Sequence, residues 1–112
     1  MINIPAEDQT ILTDITNKTV VKALIDFAIK QKVINIKPTS DILLNEWFSQ
    51  MKFHYLKIAR VDLSIKSDNV GYFEDYINIL SDIYEKIIIP EFYEYVKSKY
   101  NKKGLFTWTT KN

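Results

Sequence analysis

Pro5, Pro38, Gly71, Pro90 and Gly104 are all the proline and glycine this chain contains. These two residue types end helices and build tight turns. A chain of 112 residues with only five of them is restricted to few and long elements. Between the five, apolar residues recur at i, i+3, i+4 and i+7, the period of a helix rather than of a strand. The expected fold is all-α: a four- to five-helix up-down bundle with a long central helix over 40–67. A short extended C-terminal tail over 104–112 completes it. A chain of 112 residues supports one hydrophobic core, so residues 1–112 are read as a single helical domain.

The elements follow from the punctuation. Pro5-Ala6-Glu7-Asp8 opens a first helix, with carboxylates at the positive end of its dipole and Ile11, Leu12 and Ile15 on one side. A break within Thr13 to Thr19 precedes a second helix to Lys32. Its apolar face is expected at Val20, Val21, Leu24, Phe27 and Ala28, opposite Lys22, Asp26 and Lys30. Val33 to Lys37 is expected to be extended, and Pro38-Thr39-Ser40-Asp41 supplies an N-cap for the third helix. There Leu43, Leu44, Trp47, Phe48, Met51, Tyr55, Ile58, Val61 and Ile65 fall on one broad arc, and Phe53, Leu56 and Leu63 on a second stripe. Such a helix is either central to its bundle or partly covered by another molecule. After a turn at Ser67 to Gly71, a fourth helix over Tyr72 to Ile89 turns Tyr72, Phe73, Tyr76, Ile77, Leu80, Ile83, Tyr84, Ile87 and Ile88 inward. Pro90 bends or interrupts it before a fifth stretch over Glu91 to Asn101.

Composition excludes most chemistry. With no cysteine there is no disulfide, thiolate zinc site or cysteine nucleophile. One histidine and two glycines provide neither a His-rich metal site nor a phosphate-cradling loop. Neither a metal nor a cofactor is expected. The net charge of +1 argues against a dedicated nucleic-acid binder. Apolar runs of three, such as Ile87-Ile88-Ile89, are the longest, so no membrane partner is expected. The first residues resemble no signal peptide, which makes the expected location cytoplasmic. Seventeen isoleucines and fourteen lysines against one arginine suggest an AT-rich genome of the kind phages and mobile elements carry.

The candidate sites are few. His54 lies within the main arc of the third helix with no carboxylate or nucleophile one turn away, and is read as structural. Asp62 interrupts the same arc and needs a partner, for which Lys66 is placed one turn on. Glu74, Asp75, Asp82 and Glu85 form a solvated acidic face on the fourth helix. No nucleophile is arranged beside the lone histidine, so an enzyme is not expected. The remaining signal is C-terminal. Ten of fifteen aromatic residues lie at or beyond Tyr72, and the segment from Lys97 onward carries five lysines and no acid. Phe92, Tyr93, Tyr95, Val96 and Tyr100 cover an arc of about 160°, wide for a terminal helix. The expected partner-binding surface is Phe92, Tyr93, Tyr95, Tyr100, Phe106 and Trp108 with Lys97, Lys99, Lys102 and Lys103.

The expected function is a non-enzymatic protein-protein interaction module: a small inhibitor, immunity-type, anti-defence or adaptor protein. A homo-oligomeric structural or assembly subunit, with the third helix buried between chains, is the alternative. A nucleic-acid accessory role for the basic aromatic C-terminus ranks third.

Overall fold

The computed structural model describes residues 3–101, the side chain of Asn101 excepted. Helix α1 spans Ala6–Ile15, α2 Lys18–Gln31 and α3 Asp41–Lys66. Helix α4 spans Phe73–Ile83 and α5 Ile89–Asn101. A 3-10 turn at Val70–Tyr72 leads into α4, and a π-helical turn at Tyr84–Ile88 carries α4 into α5 without a break. The fold is an all-α up-down bundle, with no β-strand among the described residues. The expected tail over 104–112 lies outside them.

Capping chemistry sets the boundaries. Asn17 accepts a hydrogen bond from the Thr19 N–H at 2.9 Å, and Ser40 accepts one from the Leu43 N–H at 3.2 Å. Each satisfies an amide that the first turn of a helix leaves without a partner. At the other end of α2, Lys32 takes the left-handed conformation, φ 53°, that stops the helix.

Cross-helix partners define the topology. Along α3, Arg60 meets Glu74, Lys52 meets Glu85 and Asp41 meets Tyr93, so α3 runs antiparallel to the α4–α5 rod. Asp8 meets Asn69 and Tyr76, while the carbonyl of Ile15 meets Tyr55, so α1 runs antiparallel to α3 beside its C-terminal half. On α2, Lys18 pairs with Glu91 and Asp26 with Tyr95 and Lys99, which lays α2 parallel to α5. Helix α3 thus packs against α1, α2, α4 and α5. At 1.5 Å per residue, α3 is about 39 Å long. That length sets the elongated envelope of 47 × 28 × 20 Å.

The core forms one continuous cluster, with Trp47, Phe48, Tyr76 and Tyr84 its largest fully buried side chains. Burial of each such side chain stabilises the fold by about 1.5–3 kcal/mol. Three expected faces are rotated. On α2 the buried stripe is Val21, Ile25 and Ala28, whereas Val20 and Phe27 are exposed. The cause is α5, which lies against the Lys18, Lys22 and Asp26 side and draws Ile25 inward.

On α3 the buried sequence is Leu44, Trp47, Phe48, Met51, Tyr55, Ala59 and Leu63. From Tyr55 onward the spacing is four residues, and each such step rotates the contact face by about 40°. Ile58, Val61 and Ile65 are thereby left outside, while Leu63 of the second stripe enters the core.

In the last rod Tyr84, Ile88, Phe92 and Val96 are buried at intervals of four, and Ile87 is exposed. Tyr72 is exposed as well. Here the π turn is decisive: Ile89 donates to the carbonyl of Tyr84, five residues back. Pro90 has no N–H, and its ring would press on the carbonyl four residues before it. The wider turn relieves that clash, so the helix passes through Pro90 instead of breaking there.

Candidate functional site

The expected C-terminal surface is divided between core and polar clamps. Phe92 is only 8% exposed and packs in the core beside Val96. Tyr93 is half-buried, stacks on Phe48 at 6.3 Å and donates its hydroxyl to Asp41 at 2.8 Å. Burial, assisted by that hydrogen bond and the Asp41 charge, pushes the Tyr93 phenol up to about 12. Tyr95 donates to Asp26, and the ammonium groups of Lys22 and Lys99 lie over its ring at 5.3 and 5.5 Å. Lys99 also pairs with Asp26 at 3.5 Å. Burial first and then Asp26 raise the Tyr95 phenol, and Asp26 holds Lys99 above its ordinary value. Lys97 is half-buried, and Tyr100 packs partly against the core. Lys102, Lys103, Phe106 and Trp108 lie outside the described residues.

A buried carboxylate was not singled out from the sequence. Asp8 is fully inaccessible, and its Oδ2 accepts hydrogen bonds from Tyr76 at 2.6 Å and Asn69 at 2.8 Å. Its other oxygen is buried and has no hydrogen-bond partner within bonding distance among the described residues. Burial raises its pKa, but hydrogen bonds from Tyr76, Ser67 and Asn69 outweigh this and hold the carboxyl below its ordinary 3.8. The pattern did contain a signal. Asp8 precedes Ile11, Leu12 and Ile15 at helical spacing, on the apolar stripe of α1. This cluster ties α1 to the turn between α3 and α4 and to α4 itself. It is a structural anchor, closed to solvent.

The remaining candidates are surface features. Asp62 pairs with Lys66 at 3.4 Å, as the spacing predicts. His54 is half-buried on α3. On the acidic face, Glu74 pairs with Arg60, Glu85 with Lys52 and Asp82 with Lys86. Exposed pairs of this kind contribute about 0–1 kcal/mol each. Among the described residues no group of three or more His, Cys, Asp or Glu side chains could hold a metal ion. No helix among them is long and apolar enough to cross a membrane.

What stands out is the flank of α3 that the core leaves behind. Ile58, Val61 and Ile65 are 50, 53 and 74% exposed. Their i, i+3, i+7 spacing places them within about 60° of one another on one side of the helix. Leu43 and the half-buried His54 continue the line toward the N-terminus of α3. Val70, in the turn beyond, is also exposed. No known protein family, curated protein or solved structure matches this chain.

Proposed function

We propose that this protein is a non-enzymatic binding module that engages a protein partner through the exposed flank of α3. The observation that carries this reading is the Ile58, Val61 and Ile65 stripe, three β-branched side chains at least half exposed in helical register. Isolated apolar residues on a surface are ordinary, but a contiguous helical stripe is the pattern of a helix that docks against another surface. The side chains are stiff, so little rotamer freedom is lost when they are covered. An inhibitor, immunity-type, anti-defence or adaptor role fits a small domain whose described residues offer a contact surface rather than a catalytic constellation.

A photo-crosslinking amino acid at position 61, in cells of the source organism, tests the reading. One discrete adduct with another protein is the expected result, and the same probe at exposed Asn78 on α4 should give none. Loss of selectivity between the two positions would remove the α3 flank as a docking surface.

A second observation favours self-association. Phe53, 72% exposed, lies about 140° around α3 from Ile58, so the helix offers apolar side chains on two flanks. In that case the adduct at position 61 is a covalent dimer of this chain, and melting depends on protein concentration.

A further inference from the structure

The connector between α2 and α3 carries a second signal, remote from the α3 stripe and independent of it. About 30 Å of helix separates Asp41, where the connector enters α3, from Val61. After the left-handed turn at Lys32 the chain is extended, with Ile34 buried, Asn35 exposed, Ile36 half-buried and Lys37 exposed. That alternation is the pattern of a β-strand. Yet the backbone N–H and C=O groups of Ile34, Asn35 and Ile36 have no hydrogen-bond partner among the described residues. An extended segment whose main-chain groups are not paired is an edge to which another strand can add.

This edge borders an open cleft of about 710 Å³, with Ile34, Ile36 and Tyr100 in its lining. Lys30 and Lys32 also line it, and among the described lining residues Asp26 is the one carboxylate. Asp26 is already engaged by Tyr95 and Lys99. The field in the cleft is therefore positive, and it favours carboxylates over ammonium groups.

We propose that the connector and cleft bind an extended acidic peptide segment of a partner protein. The segment adds as a strand to the main chain of Ile34 and Ile36, whose N–H and C=O groups share one edge of the connector. Alternate apolar side chains enter the cleft against Ile34, Ile36 and Tyr100, and its carboxylates meet Lys30 and Lys32. Amides with no partner among the described residues favour a peptide over other anions, because only another main chain supplies donors and acceptors at strand spacing.

The test uses the full chain labelled with ¹⁵N and a capped octapeptide of alternating Glu and Val, with an alternating Lys and Val peptide as control. Expected are saturable binding of the acidic peptide and amide shifts confined to the connector and cleft. Hydrogen exchange at Ile34 and Ile36, fast in the free chain, should slow in the complex. Reversing two exposed charges in Lys30→Glu/Lys32→Glu should weaken the acidic peptide by at least about tenfold and improve binding of the lysine peptide. Failure of the acidic peptide to bind, or equal binding of both peptides, would overturn the proposal. So would full competition by inorganic phosphate or by a single-stranded oligonucleotide, which marks a general anion site. Slow exchange of these amides in the free chain would mean that the protein itself satisfies the edge, and would overturn it as well.

Discussion

Asp8 shows how one side chain can hold together parts of the chain more than sixty residues apart. Its carboxylate meets Tyr76 on α4 and Asn69 in the preceding turn, so its ionised form is favoured by folding. A folded pKa below the unfolded value adds stability above that value and loses it as pH falls through the lowered one. Asp8→Asn should therefore lower stability at neutral pH by about 1–3 kcal/mol, since it weakens a buried polar cluster. The gap between parent and variant should narrow below about pH 4, where the parent's carboxyl is protonated in the unfolded chain. Thermal melts over a pH series read both effects, and a gap that stays constant with pH would contradict this role. Tyr95 gives a second test at this scale. Tyr95→Phe removes the donor to Asp26 while keeping the ring under Lys22 and Lys99. A loss of about 0.5–1.5 kcal/mol in urea unfolding is expected. No measurable loss would mean that the hydroxyl is free to serve elsewhere.

At the scale of the element, the rod from Phe73 to Asn101 is governed by Pro90. Buried positions spaced by four from Tyr76 to Val96 do not fit an undistorted α-helix, whose period is 3.6. One extra residue in the π turn reconciles the two. Deleting exposed Lys86 from that turn turns the step from Tyr84 to Ile88 into three residues, which restores the α period. Deletion of Lys86 combined with Pro90→Ala should then keep the helical circular dichroism and lie within about 1 kcal/mol of the parent, since only an exposed ion pair is lost. Deletion of Lys86 alone leaves the proline ring against an α-helical carbonyl and should cost about 3 kcal/mol. Equal stability of the two variants would show that the π turn has another cause. Pro90 was legible in the sequence as a disturbance of the helix. Its form was not, because a bend, a break and a wide turn all satisfy a missing N–H, and only the packing of Phe92 and Val96 selects among them.

At the scale of the molecule, stability and the proposed binding surface separate. Ile58, Val61 and Ile65 contribute little to the core, so Val61→Lys/Ile65→Lys should change unfolding free energy by less than about 1 kcal/mol while abolishing crosslinking or self-association. A large loss of stability from that pair would assign the stripe to the fold. The α5 aromatics behave in the opposite way, because Phe92 is core and Tyr93 and Tyr95 are tied to other helices. Their wide arc was visible in the sequence. Its meaning was not, because the partners that occupy it, Asp41 and Asp26, lie fifty-two and sixty-nine residues away.

The sequence by itself determined the all-α class, the long third helix and its Ser40 cap, the break near Asn17 and the pairing of Asp62 with Lys66. These are decided within a turn or two of chain, by helical period, capping and proline chemistry. The tertiary structure alone decided which flank of α3 is covered and that Asp8 is an anchor rather than a dipole charge. It also turned the polar side of α2 toward α5 and left the main chain of Ile34 to Ile36 without a hydrogen-bond partner among the described residues. A helical wheel shows which residues share a face, but a rotation of 40–60° changes which of them are buried. That rotation is fixed by neighbours distant in sequence, whose packing and buried hydrogen bonds outweigh the small local preference of any one face.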